Sequence, residues 1–132
     1  KKPVQLDEQA AAECRRVLSA FFAEMTEWEQ YMEQAGFEDA EAVPRLLAIW
    51  EKYVSEKPRP GYRPLGLSYS AQGTYKGAQF LDAEQITRNK LYIYTREKNT
   101  GFDRRFLMKR VGESWRIDGV QERLDGWQRT GL

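Results

Sequence analysis

The stretch RRFLMKRVGESWRIDGV, residues 104–120, predicts two β-strands joined by a short polar turn at Gly112–Ser114. Side chains alternate along it with the period of two that is typical of a half-buried strand. Phe106 and Met108 are therefore expected on one face, and Trp115 and Ile117 share the apolar face of the second strand. A sheet with one apolar face needs a cover, so the hairpin calls for helices elsewhere in the chain.

Near the end of this stretch, the orientation of Asp118 depends on whether the strand contains a β-bulge. Strict alternation places Asp118 opposite Trp115, and therefore in solvent if Trp115 fills the core. Gly119 follows directly, and a glycine inside a strand is typical of a β-bulge, which would change that orientation. We expect Trp115 in the core, and Asp118 in solvent unless a bulge intervenes.

A long amphipathic helix is predicted from Leu6 to about Gln34. Asp7 is a suitable N-cap, and Gly36 follows the end. Apolar residues recur at spacings of three and four and form one stripe: Cys14, Leu18, Phe21, Met25, Trp28 and Met32. Because Cys14 belongs to this stripe, we interpret it as a buried, inert thiol.

A second helix is predicted from Phe37 to about Glu56, with an alternative start near Val43. Pro44 favours the later start, because the first turn of a helix tolerates its missing N–H. The predicted apolar stripe consists of Val43, Leu46, Leu47, Trp50, Tyr53 and Val54. Two helices joined by a short glycine-containing link are expected to pack as neighbours.

The segment from Lys57 to Gly77 is rich in Pro and Gly and predicts a loop, with a short strand over Leu65–Ser70. Its glycines match neither common phosphate-binding motif, so no nucleotide site is indicated. Tyrosines alternate with basic residues here, a pattern that can bind single-stranded nucleic acid. We favour packing and protein recognition instead, because the net charge of the chain is only +1.

The second half of the chain predicts an antiparallel sheet. We expect a short strand over Gln79–Leu81, a turn or bulge over Asp82–Gln85, and a clear strand over Lys90–Glu97. The first strand of the hairpin begins near Phe102. The second runs to about Leu124, and Asp125-Gly126-Trp127 is expected to end it, with Trp127 folding back on the sheet.

Composition narrows the possible functions. The 132 residues predict one domain, residues 1–132, and no apolar run approaches the roughly 20 residues that span a bilayer. The chain has no His, which removes the commonest general base and metal ligand. We therefore expect no catalytic residues, metal or cofactor, and no membrane or nucleic-acid partner. A single Cys favours the cytoplasm, or the periplasm if a targeting segment was removed.

Charge is unevenly distributed along the chain. Residues 7–51 carry 11 acidic and 3 basic residues, whereas residues 52–132 carry 9 acidic and 16 basic residues. One interpretation is solvated faces of opposite sign, and the other is an acidic helical surface that meets a basic partner. The predicted partner-binding residues lie on one flank of the first helix and in the loop: Glu13, Glu24, Glu27, Tyr31, Tyr62 and Tyr69.

Two N-terminal helices, a loop-rich crossover and antiparallel hairpins ending in Gly-Glu-Ser-Trp-Arg-Ile-Asp (112–118) resemble the nuclear transport factor 2-like (NTF2-like) superfamily. The resemblance implies an α+β cone, with two N-terminal helices packed on a curved antiparallel sheet. Within it, the chain is most similar to the NTF2 fold immunity proteins of bacterial polymorphic toxin systems. The similarity lies in the long aromatic first helix, the Pro/Gly/Tyr-rich crossover over residues 58–64, and the strand segments KLYIYT (90–95) and RFLMK (105–109). This similarity implies binding and neutralisation of a cognate toxin by stoichiometric occlusion, with no catalytic motif to transfer.

Other members of the NTF2-like superfamily are enzymes, such as isomerases and dehydratases, with acid/base residues in a pocket between sheet and helices. Here Asp118 and Glu122 are the carboxylates to consider, with an inward-facing tyrosine from Tyr31, Tyr53, Tyr92 or Tyr94. A small-molecule enzyme or ligand-binding module is thus the alternative hypothesis. A homodimer formed through the sheet face is a further possibility that the sequence leaves open.

Overall fold

Two helices cover one face of a five-stranded antiparallel sheet in the computed structural model of the chain, which describes residues 4–57 and 62–132. The strands lie side by side in chain order. The elements are α1 (Glu8–Ala35), α2 (Ala42–Tyr53), β1 (Gln79–Thr87), β2 (Lys90–Arg96), β3 (Asp103–Val111), β4 (Ser114–Arg123) and β5 (Trp127–Thr130). The predicted α+β arrangement, with both helices on the sheet, is confirmed.

Helix α1 forms as its capping residues and apolar period predict. The Asp7 carboxylate accepts hydrogen bonds from the backbone N–H groups of Gln9 and Ala10, both at 3.1 Å, which satisfies donors that the first turn leaves unpaired. Gly36 ends the helix with a φ of 83°, a conformation that favours glycine. Every residue of the predicted stripe is buried, including the Cys14 thiol.

Helix α2 begins at Ala42, so the later of the two predicted starts is correct, and Pro44 lies in its first turn. The predicted apolar stripe was partly wrong. Val43 and Leu47 are 36% and 37% exposed, because they lie at the margin of the face that α2 turns towards the core. Ile49, which the prediction omitted, is buried there beside Trp50.

Contacts at both ends of α2 fix its position. At its start, the indole Nε1 of Trp28 on α1 donates a hydrogen bond to the carbonyl oxygen of Ala42 at 3.0 Å. At its end, the Arg116 guanidinium on β4 donates to the carbonyl oxygen of Glu51 at 2.7 Å, where a cation is favourable to the helix dipole. Val54 then forms a parallel bridge with Ile117, so the chain leaves α2 along the edge of β4.

The register of the central hairpin confirms the predicted bulge and determines the position of Asp118. Phe106 pairs with Val120 and Met108 with Ile117, so the register shifts and Asp118 is the extra residue. A bulge residue does not follow the alternation of its strand. The expected solvent position would hold only without a bulge, and with the bulge present Asp118 is only 4% exposed.

Other strand predictions differ in detail. Leu65–Ser70 forms turns and irregular backbone and is no strand, and the preceding residues 58–61 of the crossover lie outside the described residues. β1 is continuous over Gln79–Thr87, so the predicted turn at Asp82–Gln85 was wrong and the alternative, a bulge, is correct, because the register shifts between Phe80 and Ala83. β5 was missed, because its four residues are held by pairing with β4 and show no clear alternation of their own.

The core confirms Trp115 as the residue that fills the space beneath the helices. We expect Trp115→Ala to lower the free energy of unfolding by about 3–5 kcal/mol, because it removes a large buried side chain and leaves a cavity. Val111→Ala is the matched control: Val111 lies in the same hairpin but is 46% exposed, and its loss should change stability by less than about 0.5 kcal/mol. Urea denaturation followed by circular dichroism measures both, and equal stability of the two variants would contradict this role for Trp115.

Candidate functional site

The space between the helices and the sheet is filled by aromatic side chains. Trp28 and Trp50 from the helices and Phe106 and Trp115 from the sheet are all buried in one continuous core. Further rings close the gap beside them: Phe22 stacks on Tyr75 at 4.8 Å between centroids. The substrate position expected for an NTF2-like enzyme is therefore taken up by core packing.

The helix tyrosines proposed for acid/base chemistry bond to carboxylates on the helical side of the molecule. The Tyr31 hydroxyl donates to Asp39, and the Arg45 guanidinium lies 4.2 Å from the centre of the Tyr31 ring. The Tyr53 hydroxyl donates to Glu24, and this hydrogen bond, with burial, raises the pKa of Tyr53 to about 12. These contacts tie α2 and the link before it to α1 and offer no acid near neutral pH.

Asp118 is the buried carboxylate proposed as a general acid or base, and its environment argues against that role. Ser55 Oγ donates to it at 2.6 Å and Lys57 Nζ at 2.9 Å. Burial alone would raise the pKa of Asp118, but the hydrogen bonds from Ser55 and Lys57 and the Lys57 charge outweigh it and lower the pKa. An ionised carboxylate with a lowered pKa is a weak base. Asp118 instead joins β4 to the segment after α2.

Glu29 on α1 is a second buried carboxylate, and it was not among the predicted site residues. It is 1% exposed and accepts hydrogen bonds from the backbone N–H groups of Ser70 and Thr74, at 2.7 and 2.8 Å. The Thr74 hydroxyl donates to it at 2.5 Å, and Arg63 Nη1 lies 3.5 Å away. Arg63 and the Tyr75 hydroxyl in turn donate to the carbonyl oxygen of Leu132. Glu29 therefore attaches the crossover loop, the segment between α2 and β1, to α1.

The residues predicted to bind a partner contact several different elements. Glu24 forms an ion pair with Lys52 at 2.9 Å in addition to its bond from Tyr53, so its charge is largely compensated within the chain. Glu13 is half-buried and Glu27 is exposed on the same helix. In the loops, Tyr62 lies edge-on to Trp50 at 6.3 Å and Tyr69 packs on Phe37 at 5.2 Å.

The outer face of the sheet, the face away from the helices, carries a cluster of aromatic and basic side chains that was not among the predicted site residues. The Arg105 guanidinium lies 4.2 Å from the centre of the Tyr92 ring and 4.5 Å from that of Trp127. Its Nε donates to Gln121 at 2.6 Å, and Nη1 lies 3.5 Å from the Tyr94 hydroxyl. Tyr94 also packs edge-on against Trp127 at 5.6 Å. Alternation had placed Tyr92 and Tyr94 on one face, but only the pairing of β5 brings Trp127 beside them.

Next to this cluster the outer face contains a cavity of about 250 Å³. Its lining includes Tyr92, Arg105 and Leu107 from the sheet, Asp118 at the bulge, and Lys57 and Arg129. A larger groove, of about 710 Å³, runs along the end of α2, and its carboxylates Glu51 and Glu56 are exposed. The first cavity places Tyr92 and Asp118 in one lining, but the lowered pKa of Asp118 makes it a weak base for enolisation chemistry.

A protein-family model described as NTF2 fold immunity protein matches residues 13–131. The chain belongs to this family. Comparisons with curated proteins and with solved structures gave no match. The match covers α1 from Glu13 onwards, α2 and the whole sheet, so the family that the sequence motifs resembled is confirmed.

Two further observations describe this immunity-family chain. In residues 4–57 and 62–132, the acidic side chains and Cys14 do not group in threes in a way that could hold a metal ion. Over the same residues, neither helix combines the length and the apolar character needed to cross a membrane.

The pH dependence of stability tests the structural role of Asp118. Because its folded-state pKa lies below the ordinary value of 3.8, the stabilisation is fully present above that value and is lost as the pH falls through the folded-state pKa. We expect Asp118→Asn to cost about 1–3 kcal/mol at neutral pH, and this difference from the wild type should shrink in acid. Urea denaturation at a series of pH values measures it. Asp125→Asn, in an exposed turn, is the control, and a difference that grows in acid would contradict the assignment.

The contacts of Glu29 give a second stability prediction. Glu29→Gln leaves the buried Arg63 without its counter-charge, so we expect a loss of about 3–5 kcal/mol in the free energy of unfolding. Glu33→Gln removes the same charge from an exposed position of α1 and should change it by less than about 0.5 kcal/mol. Thermal and urea unfolding of both variants make the comparison. Unchanged stability of Glu29→Gln would mean that the crossover loop is held by other contacts.

Proposed function

We propose that this chain binds a cognate bacterial toxin and neutralises it by stoichiometric occlusion. The observation that carries the proposal is the match of the immunity-protein family model over residues 13–131. An occluding protein needs a stable scaffold and an exposed contact surface, and it needs no catalytic centre of its own.

The arrangement of the interior supports a binding role. The buried carboxylates Glu29 and Asp118 are both compensated by hydrogen bonds and by a nearby cation. Acid/base catalysts instead hold a pKa near the working pH, with room for a substrate beside them. Aromatic side chains fill the corresponding space here. The enzymatic alternative therefore has less support than binding.

The contact surface is a separate part of the proposal. The acidic flank of α1 remains a proposed contact region through Glu13 and Glu27, with Tyr62 and Tyr69 from the loop. Glu24 and Tyr31 contribute less, because their polar groups bond within the chain. We further propose that the toxin is neutralised in the cytoplasm, where both proteins meet after delivery.

Co-expression with the toxin domain encoded by the neighbouring gene tests the function. We expect a 1:1 complex in size-exclusion chromatography with light scattering, and restored growth of cells that produce the toxin domain. Stoichiometric protection should require an amount of immunity protein at least equal to that of the toxin, because occlusion does not turn over.

A toxin domain from an unrelated system serves as the control for specificity. If the chain neither binds the neighbouring toxin nor protects cells from it, the proposed function is wrong. Protection at amounts far below those of the toxin would instead indicate an enzymatic mechanism.

A further inference from the structure

We propose that the outer face of the sheet, centred on Tyr92, Arg105 and Trp127, is the main surface through which the chain binds the toxin, and that it receives an acidic segment of that protein. The inference rests on the proposed function and specifies its contact surface. It assigns the main contacts to the side of the molecule opposite to the acidic helices.

The central arginine is held in place before any partner arrives. Arg105 lies against the Tyr92 and Trp127 rings, and its Nε donates to Gln121. No residue in the described parts of the chain accepts a hydrogen bond from its Nη2 group. A guanidinium fixed in this way loses little conformational entropy when it binds a carboxylate. Tyrosine, tryptophan and arginine are also the residues enriched at the energetic centres of protein interfaces.

The charge of the outer face indicates the chemistry of the partner. Seven basic residues share this face through direct cross-strand pairing: Lys90, Arg96, Arg105, Lys109, Arg116, Arg123 and Arg129. Glu84 and Asp103 are the acidic residues paired on the same face, and Asp103 forms an ion pair with Arg96 at 2.7 Å. The resulting positive excess complements an acidic surface.

One pair on this face is unfavourable within the isolated chain. Lys90 and Lys109 lie directly opposite each other on β2 and β3 and are both exposed. Like charges in this position destabilise a sheet. A carboxylate of the partner placed between them would remove that repulsion, so binding relieves a cost that the free protein carries.

The cavity beside Arg105 has the size of an anchor site for one side chain. Its volume of about 250 Å³ lies below the roughly 300–1,000 Å³ typical of small-molecule pockets. Leu107 supplies apolar lining, whereas Lys57 and Arg129 add positive charge. A large side chain of the partner can therefore insert here while neighbouring carboxylates meet the arginines.

The geometry favours a protein over single-stranded nucleic acid. Nucleic acids bind sheets of this kind by stacking bases on exposed aromatic faces. Here the Arg105 guanidinium already covers one face of Tyr92 and one of Trp127, and Arg123 lies 5.9 Å from the Trp127 ring. The cluster therefore presents guanidinium groups, which suit carboxylates better than bases.

Three variants test the surface in the full-length chain against the toxin domain encoded by the neighbouring gene. Arg129→Glu reverses the charge of an exposed residue and leaves the core untouched. Arg105→Lys keeps the charge but loses the planar, stacked group, and Trp127→Ala removes one ring. For each we expect the dissociation constant to rise about 30-fold or more, the effect of losing a residue at the energetic centre of an interface, and cells to lose protection. The association rate of the wild type should fall as salt increases.

Arg16→Glu is the matched control for Arg129→Glu, because Arg16 is an exposed arginine on α1, on the other side of the molecule. It should bind like the wild type. Thermal unfolding of every variant separates lost binding from lost folding, and Arg129→Glu decides the outcome if Arg105→Lys or Trp127→Ala is unstable.

Several results would overturn this assignment while leaving the proposed function intact. In one such result, Arg129→Glu and Arg105→Lys bind with wild-type affinity, whereas Glu27→Lys binds more weakly. This would place the contacts on α1. Another is a homodimer of the free chain that Arg129→Glu dissociates, or a 20-mer of deoxythymidine bound through Arg105, either of which would give the face a different occupant. Failure of the wild type to bind the toxin at all would overturn the proposed function itself.

Discussion

Strand β4 contains one residue more than its pairing with β3 can accommodate, and that residue is Asp118. Before the bulge, Trp115 and Ile117 face the helices, and after it Val120 does. The inward side thus changes from odd to even positions, so the apolar face of the strand continues past the bulge to Val120. If Asp118 were paired regularly, without the bulge, strict alternation would turn Val120 outward and Gln121 towards the core.

The bulge also joins parts of the chain that are far apart in sequence. Its carboxylate accepts hydrogen bonds from Ser55 and Lys57, which follow α2, while Val54 bridges Ile117. Glu29 likewise joins the crossover loop to α1, because it accepts hydrogen bonds from the backbone N–H groups of Ser70 and Thr74. In both places a buried charge is compensated by hydrogen bonds and a cation, as burial requires. The chain uses these two buried carboxylates for structure.

The two sides of the molecule differ in how their charges are used. On the helical side, Glu24 and Asp39 take part in contacts between or beside the helices, which reduces the charge available to a partner. At the centre of the outer face of the sheet, Arg105 stacks on two aromatic rings, and no carboxylate of the described residues forms an ion pair with it. Membership of the immunity-protein family is compatible with contacts on either side. The fixed arginines and the cavity beside them favour the sheet.

The sequence by itself determined the features that depend on neighbours a few residues apart. The period of α1, its Asp7 cap and the alternation in the central hairpin are local, so the helix, the hairpin and the buried position of Trp115 could be predicted, as could the family from its motifs. Only the tertiary structure decided the burial of Asp118 and Glu29, the pairing of β5 and the stacking of Arg105 between Tyr92 and Trp127. These depend on contacts between distant segments, such as the hydrogen bond from Ser55 to Asp118 across 63 residues. Local periodicity contains no information about such contacts, because strand pairing and polar burial are set by which segments meet in the folded chain.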